Sequence, residues 1–204
     1  MAVAGALADT TGGWAFAPIL AWLLHDGRFL ADPNDLTRAL ALHLAAAGAP
    51  LVRLRLSLRA EAPPLAGWAA VWTRGQPLDR DRVAHAGLGG QAAHAGLERH
   101  AAYVGSPLEH IDRTGTPFRL RLDRPVPAAA DPLLHRLAAQ GATDYLALPM
   151  PFADGRMASL VTVTDRLGGF RLEDVGKFEA LASALSPVLE AAAARHLARI
   201  AGPA

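Results

Sequence analysis

The sequence predicts a single α+β domain in which a central antiparallel sheet of five to six strands is flanked by helices, with long helices at both ends. Three observations carry this prediction. Short segments with apolar residues at every second position recur between residues 51 and 164, the pattern of half-buried strands. The two ends carry apolar residues at helical spacing instead. A capping residue followed by proline marks a helix start at Asp32-Pro33, Ser106-Pro107 and Asp131-Pro132. At 204 residues the chain is long enough to bury a core without a metal or disulfide staple.

The first helix is expected over Ala15 to Leu24, with Phe16, Ile19, Leu20 and Leu23 on one side. Asp32-Pro33-Asn34-Asp35 opens a second, which continues through Leu36, Leu40, Leu42 and Leu44 until Gly48 and Pro50 end it. Leu51 to Leu58 then alternates as a strand, with Leu54, Leu56 and Leu58 on one face and Arg53, Arg55 and Arg59 on the other. Leucine against arginine predicts a sheet covered on one side only. Glu61 to Pro64 reads as a turn, and Trp68 to Thr73 as the returning strand.

From Arg74 to Gly105 periodicity disappears, and the glycines at 75, 87, 89, 90 and 96 predict a long, mobile loop containing one short helix. A loop of that length inside a compact domain often covers a ligand site. Ser106 caps a short helix ending before Gly115, and Phe118, Leu120 and Leu122 alternate with Arg119, Arg121 and Asp123 as a third strand. Asp131-Pro132 opens a helix over Leu133 to Gln140, closed by Gly141. Tyr145 to Pro151 and Met157 to Thr164 form a hairpin through Asp154-Gly155. Glu173 to about Ile200 is a long helix presenting Phe178, Leu181, Leu185 and Val188 on one face, with a kink expected at Pro187. Residues 1–13 are expected to be a flexible N-terminus, 14–200 one sensory domain and 201–204 a tail.

Composition excludes several classes of chemistry. With no cysteine there are no disulfides, thiolate nucleophiles or cysteine-held clusters. Charged residues make up 19% and balance to +1, so no strong field draws nucleic acid or an anionic membrane. Lys177 is the only lysine. The apolar runs Trp14 to Leu24 and Ala39 to Pro50 are too short or too interrupted to span a bilayer. Met1 to Thr11 lacks the basic and apolar segments of a signal peptide, and the expected location is cytoplasmic.

Short phrases narrow the class. Trp22-Leu23-Leu24 with Arg28-Phe29-Leu30, Tyr103 to Leu108, Gly141 to Pro149, Asp154-Gly155-Arg156, and Thr164-Asp165-Arg166 with Gly168-Gly169-Phe170 together resemble the GAF-like regulatory segment that precedes class III adenylate/guanylate cyclase domains in bacteria. The resemblance runs from about Trp22 to Ile200 and is densest from Gly141 to Phe170. It implies an input domain whose last helix leads into an output domain. No cyclase catalytic domain follows before Ala204, so the expectation is a module without catalytic machinery. The Asn-Lys-Phe-Asp-Glu signature of cyclic-nucleotide-binding GAF domains is absent, and the cysteine used by bilin-binding and sulfoxide-reducing relatives is missing. The cofactor is left unassigned.

The candidate site residues each have two readings. Trp68 and Trp72 share a strand face. They are core under the helices or, with Tyr103, Phe118 and Tyr145, the apolar wall of a pocket in which Arg119 or Arg121 anchors an anion. His85, His94, His100 and His110, with Glu98 and Glu109 nearby, offer imidazoles for a metal or haem. Their spacing matches no metal motif, and His94 and His100 are the candidates retained beside the reading as solvated loop histidines. Gly87 to Gly90 lacks the preceding strand and following lysine of a phosphate loop and reads as a lid. Ser106, Asp144 and Asp165 read as structural. Two functions follow: a sensory module that binds a small molecule and signals through its terminal helix, or a dimerisation module without a ligand. A parallel homodimer is expected through the first and last helices, with Phe178, Leu181, Leu185, Val188 and Ala192 as the seam. A cyclase or other output domain is the further expected partner; nucleic acid and membrane are not.

Overall fold

The computed structural model describes residues 13–58, 68–82 and 103–201. In chain order these form α1 (Ala17–His25), a single 3₁₀ turn (Gly27–Phe29), α2 (Pro33–Ala46), β1 (Arg53–Leu58), β2 (Trp68–Thr73), β3 (Asp79–Arg82), α3 (Pro107–Thr114), β4 (Phe118–Arg121), α4 (Pro132–Ala139), β5 (Asp144–Pro151), β6 (Met157–Thr164) and α5 (Leu172–Ala201). The strands make one six-stranded sheet in the order β3-β2-β1-β6-β5-β4, with every neighbouring pair antiparallel. The α+β class with a central antiparallel sheet is thus the one expected.

Local chemistry sets the element ends. The carboxylate of Asp32 accepts from the Asn34 amide at 2.8 Å, that of Asp131 from Leu133 at 2.7 Å, and the Ser106 hydroxyl from Glu109 at 3.2 Å. Each satisfies an amide that the first helical turn leaves without an intrahelical partner. The β5–β6 turn needs a left-handed residue, supplied by Gly155 at φ 88°.

Pairing register sorts the side chains onto two faces. Leu54 sits opposite Trp72 and Thr162, and Leu56 opposite Ala70 and Leu160, while Leu160 in turn pairs with Leu148. This face takes α1, α2 and α5, burying Phe16, Leu23, Leu40, Phe178 and Leu185 completely or nearly so. Each such side chain contributes roughly 1.5–3 kcal/mol by leaving water. The opposite face carries Tyr145, Ala147, Val161 and Val163, over which Ile111 of α3 and Leu134 and Leu137 of α4 pack. A sheet covered on one side only is therefore corrected: two short helices close part of the second face as well.

Two further expectations are corrected. Asp79–Arg82, inside the segment read as loop, is an edge strand paired with β2 through its backbone. Its Asp-Arg-Asp-Arg sequence has no apolar alternation by which to recognise it, and charge is common on edges because it discourages further pairing. The stripe Phe178, Leu181, Leu185, Val188 and Ala192 is buried in the chain's own core, so it packs against the sheet rather than forming a seam between two chains. The terminal helix α5 runs from Leu172 to Ala201 with Pro187 inside it. The remainder of the expected loop, residues 83–102, and the two ends, 1–12 and 202–204, lie outside the described residues. Among the described residues, no helix is long and apolar enough to cross a membrane.

Candidate functional site

The second face of the sheet is where polar chemistry collects. Arg53 and Arg55 are two apart on β1 and therefore project from the same side. In register, Arg55 lies between Val71 of β2 and Val161 of β6, and Arg53 between Thr73 and Val163. Tyr145 of β5 is the next residue across from Val163. Beside them the hydroxyls of Ser57 and Ser159 are hydrogen-bonded at 2.7 Å. β1 is an inner strand with a neighbour on each side, so both guanidiniums stand well within the sheet.

The electrostatics of this patch are unusual. Burial and the adjacent Arg55 charge hold the Arg53 guanidinium below its ordinary basicity, and Arg136 acts in the same sense; Asp79 and Tyr145 oppose them. The Nε of Arg55 is buried with no hydrogen-bond partner among the described residues. An orphaned donor of this kind costs about 1–3 kcal/mol. Burial pushes the Tyr145 phenol far above its usual range, against the opposing pull of Arg55 and Arg53. The hydroxyl therefore remains a neutral donor at physiological pH. Around these groups the surface is apolar: the Phe118 ring meets Tyr145 edge-to-face at 6.1 Å, and Ala147, Val161 and Val163 are buried.

The residues expected to form one pocket are divided by the sheet. Tyr145 and Phe118 belong to the second face and pack in its apolar cluster. Tyr103 precedes α3, where its hydroxyl donates to Asp112 at 2.6 Å. Trp72 and Trp68 belong to the helical face: Trp72 is buried in that core, and Trp68 packs against it and donates to the Asn34 side chain at 3.3 Å. Arg119 and Arg121 share the face of their partners Leu146 and Asp144. Their guanidiniums are engaged there, Arg119 with Asp144 and with the Phe170 carbonyl at 2.7 Å, Arg121 with Asp123. The grouping of the tryptophans and these arginines with Tyr145 and Phe118 is corrected accordingly, because neighbouring strand positions point to opposite sides.

Arg53 and Arg55 were not recognised as site residues because alternating arginine reads as a solvated face. The signal that marks them is their place on an inner strand. His94, His100 and the Gly87 to Gly90 run lie outside the described residues. Among the described residues, no three histidine, aspartate or glutamate side chains are placed to hold a metal ion.

A second polar cluster lines a cleft of about 140 Å³ between the start of α5 and the chain around Trp14. Its groups satisfy one another. Asp174 accepts from the Trp14 indole at 3.0 Å and the Arg171 amide at 2.7 Å and pairs with Arg166. Lys177 donates to the Trp14 carbonyl at 2.8 Å and pairs with Glu173 at 2.7 Å. This arrangement anchors α5 and leaves the second sheet face as the candidate ligand site.

No family model matches the sequence, and no curated protein matches it. Solved structures do resemble the fold. The GAF domain of a phosphoenolpyruvate-protein phosphotransferase from Coxiella burnetii aligns with a TM-score of 0.56 at 12% identity, covering 90% of this chain and 97% of that one. Free methionine-R-sulfoxide reductase from Neisseria meningitidis, in complex with its substrate, aligns with a TM-score of 0.54 at 14% identity, covering 88% and 90%. The phycocyanobilin-bound GAF domain of a cyanobacterial phytochrome aligns with a TM-score of 0.52 at 14% identity, covering 89% and 96%. The chain has a GAF-like fold.

Proposed function

We propose that this chain is a non-catalytic sensory module of the GAF type, which takes a small molecule on the sheet face bearing Arg53, Arg55 and Tyr145 and passes the change to α5. One observation carries the reading. Both faces of the sheet carry a packed apolar core, and beside the second one stand the half-buried Arg53 and Arg55, the Nε of Arg55 having no partner among the described residues. A few polar groups among apolar walls is the usual make-up of a ligand site. Two of the structures that share the fold hold small molecules. The non-catalytic reading rests on the resemblance to cyclase regulatory segments and on the GAF domains that share the fold.

A route to α5 runs through shared strands. On β5, Tyr145 and Ala147 face the ligand side while Leu146 and Leu148 lie in the core that contains Phe178, Leu181 and Leu185 of α5. The end of this strand pair is fastened to the same helix: Ser186 donates to the Pro151 carbonyl at 2.6 Å, and Glu190 accepts from the Ala153 amide at 3.1 Å. A ligand that displaces β5 or β6 by a few tenths of an ångström acts directly on α5. The cyclase resemblance makes an output domain beyond α5 the recipient. The expected homodimer is proposed on the outer side of α1, where Leu24 is 48% exposed.

The test is a thermal-shift screen against nucleotides, haem and aromatic metabolites, followed by hydrogen exchange of α5 with any stabilising compound. A ligand specific to the folded state raises the melting temperature, and slower or faster exchange in α5 shows transmission. Indifference to the whole library overturns the sensory reading in favour of a ligand-free interaction module.

A further inference from the structure

We propose that Arg195, His196 and Arg199 form a releasable clasp, which docks the last two turns of α5 onto the connector between the 3₁₀ turn and α2. A polar relay starting at Trp68 on β2 sets how firmly the clasp holds. The proposal rests on the reading above for one point, that α5 carries the output, and it specifies how β2 reaches that helix. Its basis is a change along α5 in what holds the helix. From Phe178 to Ala193 it is fixed by buried side chains, among them Phe178, Leu181, Leu185, Leu189 and Ala192. Beyond Ala193 the described side chains Ala194, Arg195, Ala198 and Arg199 are exposed, and His196 is half-buried. Hydrogen bonds take over there. Arg195 donates through Nη2 to the carbonyls of Arg28 at 2.8 Å and Leu30 at 3.2 Å, and Arg199 donates to that of Ala31 at 3.2 Å. The two arginines are four residues apart and so lie one above the other on one side of the helix.

The segment that accepts these bonds is itself tied to the sheet. Asp32, which caps α2, uses its two oxygens for different tasks. Oδ1 accepts from the Asn34 amide at 2.8 Å and from Asn34 Nδ2 at 2.9 Å. Oδ2 faces Nδ1 of His196 at 3.8 Å and Nη2 of Arg199 at 4.0 Å. The buried Asn34 in turn accepts from the Trp68 indole at 3.3 Å. A contiguous series of polar contacts therefore runs from β2 through Asn34 and Asp32 to the end of α5. Such a series couples its two ends when the element it reaches has two arrangements. Here those are docked and released, and each hydrogen bond of the clasp shifts the balance by only about two- to tenfold. Trp68 pairs with Leu58 of β1 and Arg82 of β3, so a displacement of β1 or β3 moves its indole against Asn34. The same displacement then alters the position in which Asp32 meets His196 and Arg199.

The experiment is hydrogen exchange with mass spectrometry on the full chain without ligand, comparing residues 194–201 with residues 178–193. Replacing both arginines, Arg195→Ala with Arg199→Ala, is expected to speed exchange in 194–201 by about tenfold and to leave 178–193 unchanged. Alanine is the better helix former, so lost helix propensity cannot explain faster exchange. Asp32→Asn keeps a capping side chain on α2 but removes the charge facing His196 and Arg199, and is expected to speed the same residues about threefold. Trp68→Phe keeps a ring but removes the donor, and is expected to speed them about twofold. It is expected to have no effect once both arginines are alanine. If Trp68→Phe does not fold, Asn34→Ala gives the same readout. Unchanged exchange in the double arginine variant overturns the clasp. A response to the arginines with none to Asp32→Asn, or none to the change at Trp68 or Asn34, overturns the relay. Equal acceleration of both regions overturns the proposal as well, since it marks general loosening rather than a released end. No ligand enters the experiment, so its failure leaves the sensory reading standing, and silence of the compound library leaves the clasp standing.

Discussion

Arg119 donates from Nη2 to Oδ2 of Asp144 at 2.7 Å, and the Asp144 side chain is wholly buried while that of Arg119 remains one-third exposed. The same carboxylate accepts from the Phe170 amide at 3.0 Å. One side chain therefore ties β4, β5 and the approach to α5 together. Removing it strands a guanidinium and a buried amide at once, and breaking a buried pair in this way costs about 3–5 kcal/mol. Asp144→Ala is expected to lower stability by about 3 kcal/mol in urea unfolding, while Asp123→Ala, which removes the exposed partner of Arg121, stays within error of wild type. Equal, small effects for both variants would show that the Asp144 junction contributes little.

Gly169 makes that junction close. It has φ 71°, and a Cβ there would lie 2.6 Å from Oδ2 of Asp144 and 3.0 Å from Nε of Arg121. Gly155 also has a positive φ, 88°, but faces open space. Gly169→Ala is expected to cost about 2–3 kcal/mol, conformational strain plus displacement of the ion pair, against about 1 kcal/mol of strain alone for Gly155→Ala. Similar melting temperatures for the two variants would refute the steric part of this account.

Leu185 distinguishes an internal stripe from an intermolecular seam. It is fully buried in the chain's own core. Leu185→Ala is expected to cost about 2–5 kcal/mol, and Leu185→Glu to give a chain that does not fold. A folded, soluble and monomeric Leu185→Glu protein, judged by circular dichroism and light scattering, would return this residue to an interface between chains.

Asp32 makes stability depend on pH in acid. Burial pushes its carboxyl upward, but hydrogen bonds from the Asn34 amide and side chain and the charges of His196 and Arg199 outweigh this, leaving it below the ordinary 3.8. A carboxyl whose pKa falls on folding stabilises above its unfolded pKa, and that contribution is lost as pH drops through the folded value. Asp32→Ala is expected to lose about 1 kcal/mol at neutral pH, the usual worth of a helix cap, with the gap to wild type closing below about pH 4. A gap that does not narrow at all on acidification would show that the carboxylate charge is not what matters.

The sequence alone was enough to locate most elements. The caps at Asp32, Ser106 and Asp131 and the period-two runs at Leu54, Tyr145 and Met157 depend on contacts within a few residues, so they are legible without the fold. The GAF-like class followed from element order and the phrases between Gly141 and Phe170. What periodicity does not reveal is what covers a face. Arg53 and Arg55 alternate with leucines like any solvated strand, and only the strand order, which sets β1 between β2 and β6, makes them half-buried. Register likewise decides that Trp72 lies opposite Leu54 while Tyr145 aligns with Val163, separating residues whose chemistry suggested one pocket. The edge strand Asp79–Arg82 forms because β2 offers a free backbone edge, not because its side chains favour a sheet. Local rules act along the chain and can be read from it; burial, pairing and the meeting of charges are set between segments distant in sequence, and they exist only once the sheet has assembled.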